Sequence, residues 1–356
     1  MSTSKETAKG VGKLLVLILV VFSTISYLVS LLVGPILFYS TKDGLTVAAR
    51  HIHQLPIDFF MVLTIPIPLG FSLGVLFAAI WVAFVICFIF AWLSRGGFIA
   101  SVRNVLTKGE TIAKTNFLIV MPLVTSGLLC ATILIEQFQV TQGVQTGSLN
   151  FPPATSPYLI LLELAFAPLN EEFAFRITSI GIPLAIFLAF RYRSDPNVSG
   201  WKNTVKFLLL TMLSPERAKS KVGYRNVSAD GFFRGISALE WILILITSLA
   251  FGSAHYLLGG GWEIGKVSTA FLAGLFFAIM YVAYGAYADI LLHWFFNYYF
   301  TVLDMAASAY GGVLSAFANI SELTTLVAGG VILVIFLIYM AVRIGNSLVE
   351  RVAATA

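Results

Sequence analysis

The stretch Ala167–Arg176 reads APLNEEFAFR and sets Glu171, Glu172 and Arg176 between two apolar runs, PYLILLELAF and ITSIGIPLAIFLAF. Further along, FGSAH ends in His255, and HWFFN holds His293 and Asn297. On a helix Glu172 and Arg176 are i,i+4 and pair along one face, while Glu171 is turned by about 100° and points elsewhere. One carboxylate is then neutralised and its neighbour is left to face a cavity. His293 and Asn297 are also i,i+4, so both project from one side of their helix. A free carboxylate, two imidazoles and an amide from three helices are enough for general-base hydrolysis with oxyanion stabilisation. Each group has a plainer use when taken singly. Glu172–Arg176 serves as a structural ion pair, and a lone histidine can bond a carbonyl on a neighbouring helix. Joint occurrence shifts the balance, because the chain has only four histidines and two of them sit in apolar helices. Glu163, two turns before Glu171, and Phe251, one turn before His255, are lower-ranked candidates to line a cavity.

The elements that must position these groups are membrane helices. Hydrophobic residues make up 58% of the 356 and charged residues 11%, where a soluble domain carries about 25% charged residues; mean hydropathy is +0.92. Apolar runs of about 18 residues or more mark spanning candidates. They fall at Leu14–Tyr39, Leu69–Leu93, Phe117–Ile135, Tyr158–Phe190, Trp241–Leu258, Val267–Ala288, Ile290–Leu303 and Leu326–Val342. The expectation is an all-α polytopic bundle of about eight spans with a polar intramembrane cavity. Residues 1–150 supply spans without motifs, 151–310 form the catalytic core with a basic insertion at 191–236, and 311–356 hold a last span and a tail. Lys5, Lys9 and Lys13 precede the first run, which is too long for a signal-peptide core and reads as a retained helix. Lys and Arg are concentrated in 1–13, 94–116 and 191–236 and absent from 136–156 and 305–324, so both termini are expected in the cytoplasm. The net charge of +5 is then a topology signal and an affinity for anionic lipid headgroups, with no nucleic-acid partner implied. Cys87 and Cys130 read as packed thiols, GFSLG at Gly70–Gly74 as a helix-packing contact, and His51 and His53 as solvated loop residues.

In order and in setting, Glu171-Glu172-x-x-x-Arg176, Phe251-x-x-x-His255 and His293-x-x-x-Asn297 resemble the CAAX protease and bacteriocin-processing enzyme family of intramembrane proteases, which includes the type II CAAX prenyl proteases. The resemblance covers roughly Pro157 to Phe300. It departs from the family pattern at Ile177, where members commonly have Gly, and in the long gap holding the 191–236 insertion. The resemblance implies Glu171 as general base on water, His255 as the group orienting that water, His293 and Asn297 as hydrogen-bond donors to the oxyanion, and Glu172–Arg176 as a supporting pair. It implies a prenylated or other membrane-associated peptide as substrate. Zinc on Glu171, His255 and His293 is the family's alternative. No metal is favoured, because no HExxH occurs and a catalytic zinc wants three firm ligands and an open position.

Depth along the spans raises a conflict. Counted from the expected ends, His293 lies near the cytoplasmic face, His255 near the opposite one, and Glu171 between. Convergence requires a span to be tilted, broken or differently placed, and Pro168 is the expected break. Two other classes stay open: a catalytically silent scaffold or immunity-type protein of the same fold, and an ion-coupled transporter, since intramembrane ionisable residues also mark ion paths. A transporter would show repeats and broken helices in both halves, whereas the polar groups here occupy one half.

Overall fold

The computed structural model describes residues 2–108, 111–258 and 260–355. It is a helical bundle. Helix α1 (Ser2–Ser40) is followed by a hairpin of β1 (Gln54–Phe59) and β2 (Leu63–Pro68), then α2 (Leu73–Leu93), α3 (Phe117–Thr141) and α4 (Pro157–Arg191). Helix α5 (Trp201–Leu213) lies in the basic insertion; α6 (Ala238–Leu257), α7 (Lys266–Tyr284), α8 (286–310) and α9 (Gly312–Thr355) complete the chain. Among the described residues seven helices are long and apolar enough to cross a membrane, against the eight expected.

The helix outside that set is α8, where Ile290–Leu303 was read as a span. It carries Asp289, His293, Asn297 and a run of tyrosines that lower its hydropathy. Protein encloses it instead of lipid: Ala288, Asp289, Leu291, Leu292, Trp294 and Phe295 are all fully buried. A helix with ionisable groups at membrane depth is stable only in such surroundings. Gly285 alone joins α7 to α8, at φ +106°, a conformation open to glycine. By contrast α9 is largely exposed, as suits a lipid-facing outer helix.

The hairpin at 54–68 was not expected, and Pro66 and Pro68 end a strand there rather than delimit a helix. Gly70 consequently lies outside α2 with open space around it, so GFSLG is not a helix-packing motif as a unit. Only Gly74 makes a close contact, against Ala48. His51 and His53 are exposed as expected, and Cys87 is buried.

Helix α4 begins at an N-cap, Ser156, whose hydroxyl accepts from the Tyr158 N–H, with Pro157 in the first turn. It runs through Pro168 without breaking, contrary to expectation. The departure comes five residues later, where Phe173–Gly181 is π-helical. The hydroxyls of Thr178 and Ser179 both donate to the Ala174 carbonyl, at 2.8 and 2.7 Å, within this stretch.

The ends of the bundle separate by charge. Arg95 donates to the carbonyls of Ala113 and Ala283 (the latter at 2.7 Å), so 94–116 and the end of α7 meet at one end. The insertion joins them there, with Glu216 4.0 Å from Arg95. Lys219 of the insertion and Glu240 of α6 form a buried pair at 2.8 Å, and Glu240 closes a capping box with Ser237 at the start of α6. At the other end Ser40 meets Tyr310, and Gly147 bridges Trp262.

Candidate active site

The π-helical turn and the residues before it set the first part of the site. Glu172 and Arg176 are both fully buried, with Nε 3.1 Å from Oε2. Arg176 also donates from Nη2 to the Gly274 carbonyl at 3.1 Å and stacks over the Phe251 ring at 4.6 Å. Gly274 keeps this approach close, since a Cβ there would lie 3.0 Å from Phe251 Cδ1 and 3.2 Å from that guanidinium nitrogen. The other Glu172 oxygen, Oε1, accepts from His293 Nδ1 at 2.8 Å. One buried carboxylate therefore fixes both a guanidinium and an imidazole.

That hydrogen bond also fixes the tautomer of His293. With Nδ1–H given to a carboxylate, Nε2 carries the lone pair and accepts from Asn297 Nδ2 at 3.2 Å. Glu171 Oε2 lies 3.8 Å from the same Nε2. Glu171 differs from its neighbour in exposure: its side chain is 30% accessible and that of Glu172 is 0%. The expected division of labour, one carboxylate locked and one open, is the observed geometry.

His255 stands beside this cluster, against Phe251. The Phe251 ring lies 4.8 Å from the His255 ring and 5.8 Å from the His293 ring. His255 Nδ1 bonds the Phe251 carbonyl at 2.9 Å, which leaves Nε2 as its acceptor. Phe251 thus touches both imidazoles as well as stacking on Arg176. Glu163 is exposed toward the start of α4, two turns from Glu171.

Among the described residues no group of three or more His, Cys, Asp or Glu side chains could hold a metal ion.

Two contributors were missed in the sequence. Asp289, one turn before His293, is fully buried. Neither of its oxygens meets a hydrogen-bond partner among the described residues. The i,i+4 spacing of Asp289 to His293 was visible, but lay outside the HxxxN pattern. Asp58 of the hairpin is the second. Its N–H donates to Asn170 Oδ1 at 2.9 Å, and its carboxylate accepts from Asn170 Nδ2 at 2.7 Å. The first 150 residues thus reach the residue next to Glu171, where no contribution was expected.

Fold and site together define a polytopic α-helical membrane protein with a buried carboxylate–imidazole–guanidinium cluster open on one side. Residues 153–299 match the family model described as type II CAAX prenyl endopeptidase Rce1-like. This bears out the resemblance read from the three motifs over nearly the same stretch. No curated protein and no solved structure matches the chain.

Proposed function

We propose that this protein is an intramembrane endopeptidase that cleaves a peptide bond near the C-terminus of a prenylated or other membrane-associated peptide with carboxylate-activated water. The contrast between Glu171 and Glu172 carries the reading: adjacent carboxylates, one sealed in an ion pair and the other with an accessible side chain beside an imidazole.

Glu171 takes a proton from water as the oxygen attacks the scissile carbonyl carbon. His255 Nε2 accepts a hydrogen bond from that water and orients it. The oxyanion accepts from Asn297 Nδ2, whose amide is held by its other hydrogen bond to His293 Nε2. Glu172, behind His293 Nδ1, fixes the imidazole. This makes His293 the group that aims Asn297, a narrower role than the direct donation inferred from sequence. As the tetrahedral intermediate collapses, the C–N bond breaks and Glu171 returns its proton to the leaving amine. Preorganised donors of this kind contribute about 3–4 kcal/mol to barrier lowering when removed singly. No metal takes part in these steps. The basic end of the bundle, with 94–116 and 191–236, faces the cytoplasm, and the membrane is the cell membrane in a prokaryotic host.

The test is hydrolysis of a quenched fluorescent farnesylated CAAX peptide by the purified protein in detergent, beside Glu171→Gln and with a strong chelator. Cleavage that is lost in Glu171→Gln and unaffected by the chelator supports the mechanism. Cleavage by Glu171→Gln at the parent rate removes Glu171 from it. Absence of any cleavage shifts the reading to the silent scaffold.

A further inference from the structure

The hairpin raises a question of hydrogen-bond accounting. Its facing pairs are Gln54–Pro68, Leu55–Ile67, Pro56–Pro66, Ile57–Ile65, Asp58–Thr64 and Phe59–Leu63. Proline has no N–H, so Pro56 and Pro66 cannot exchange ladder bonds. In an antiparallel ladder bonded and non-bonded pairs alternate. The bonded pairs are therefore those of Leu55, Ile57 and Phe59. The main-chain groups of the other three pairs point away from the ladder.

On β1 those outward groups are used against α4. The Asp58 N–H goes to Asn170 Oδ1 at 2.9 Å, and just beyond the strand the Phe60 N–H goes to Thr178 Oγ1 at 2.9 Å. On β2 no such group is bonded among the described residues. Every β2 residue is exposed. The outer edge of β2 offers the carbonyls of Thr64, Pro66 and Pro68 but a single N–H, that of Thr64. It is a strand edge made almost entirely of acceptors.

The edge also stands at the depth of the site. Thr64 faces Asp58 and donates its hydroxyl to Asp58 Oδ1 at 2.6 Å. Asp58 is doubly bonded to Asn170, the residue before Glu171. The tip goes deeper, to Thr178, with Phe60 at φ 48° and Met61 at φ 68°, a conformation that non-glycine residues hold only when the surroundings fix it. An open strand edge at this depth cannot face lipid.

We infer that the outer edge of β2 is the docking strand for the substrate main chain: the peptide binds extended, donates alternate N–H groups to the Thr64 and Pro66 carbonyls, and accepts from the Thr64 N–H. Strand addition supplies affinity through the backbone and leaves side-chain choice to neighbouring pockets. An extended polypeptide brings the donors that this edge lacks. A second copy of the hairpin does not, because two proline-blocked edges present carbonyl to carbonyl. The inference rests on the protease reading for the nature of its ligand.

The experiment measures binding without turnover. Fluorescence anisotropy follows a labelled farnesylated CAAX peptide on the Glu171→Gln protein, with each peptide N–H replaced in turn by an ester oxygen. Ester substitution at every second position is expected to weaken binding about fivefold, and at the intervening positions to leave it unchanged. Thr64→Pro deletes the outward N–H and no ladder bond, and is expected to weaken binding about fivefold. Thr64→Ala, which keeps that N–H, is expected to stay within about twofold. Equal binding of all ester analogues overturns the inference, as does equal binding by Thr64→Pro and Thr64→Ala. If the parent cleaves the peptide while ester position is immaterial, only the docking strand fails. If ester sensitivity alternates but the parent cleaves nothing, the docking strand stands and the protease reading fails.

Discussion

Glu172→Ala tests the architecture of the site independently of turnover. The substitution removes a carboxylate that pairs with Arg176 at 3.1 Å and accepts from His293 Nδ1 at 2.8 Å, both in full burial. Removing one partner of a buried ion pair costs roughly 3–5 kcal/mol, because the other charge is left uncompensated. Arg176 keeps its bond to the Gly274 carbonyl and its stack on Phe251, which places its share at the low end of that range. His293 loses the acceptor for a buried N–H, a further loss of about 1 kcal/mol or more. The expected destabilisation is about 4 kcal/mol, read from denaturant unfolding in detergent micelles by tryptophan fluorescence. The double variant Glu172→Leu, Arg176→Met should regain at least half of it, since apolar residues of similar volume replace buried pairs at little cost. A single variant within about 1 kcal/mol of the parent refutes the pairing argument, as does a double variant no more stable than the single.

Three further outcomes follow from the same geometry. Gly252→Val drives a side chain into the α6–α7 contact, where even a Cβ would lie 2.6 Å from the Val267 carbonyl oxygen. It should cost about 1–3 kcal/mol and, by displacing the helix end that carries His255, lower peptide cleavage; unfolding and activity at parental values would contradict this. Asp289→Leu removes a buried carboxyl that meets no donor and should raise unfolding stability by about 1–3 kcal/mol, so a destabilised variant would show that Asp289 has partners in the folded protein. Glu240→Ala strands Lys219 in the insertion and should cost about 3 kcal/mol; a variant that unfolds with the parent would mean that the pair adds nothing to the insertion.

The sequence carried most of the site because its groups obey short-range helical geometry. Glu172–Arg176 and His293–Asn297 are i,i+4 pairs, and each was read correctly from spacing alone. Groups meeting across helices were less legible. Nothing in the spacing says that Phe251 touches both His255 and His293, or that Glu172 serves His293 as well as Arg176. Asp289 was passed over because it lies in an apolar stretch outside the motif. The eighth run, Ile290–Leu303, falls outside the seven helices that length and composition alone qualify as spans, because Asp289, His293, Asn297 and the tyrosines of α8 lower its hydropathy. The hairpin was hidden because Pro66 and Pro68 in an apolar run read as the limit of a helix starting at Leu69. Strand register, which gives those prolines their meaning, is a long-range property.

The π-helical stretch Phe173–Gly181 bears on how this site is inherited. A π turn holds one residue more than an α turn, so it stores the equivalent of an insertion inside a helix whose two ends remain in place. Deleting one residue between Ile177 and Gly181 would return the stretch to α winding and leave both ends in place, so that Leu184 and Leu188 keep their contact with Val198 and Phe207 of the insertion. The same deletion in the α-wound remainder of α4 would rotate everything beyond it by about 100° and break that contact. Descendants of this chain can therefore lose a residue within the stretch without a rebuilt packing partner in α5. Single-residue gaps in an alignment of relatives should fall within 173–181 or in the insertion beyond Arg191, and avoid the rest of α4.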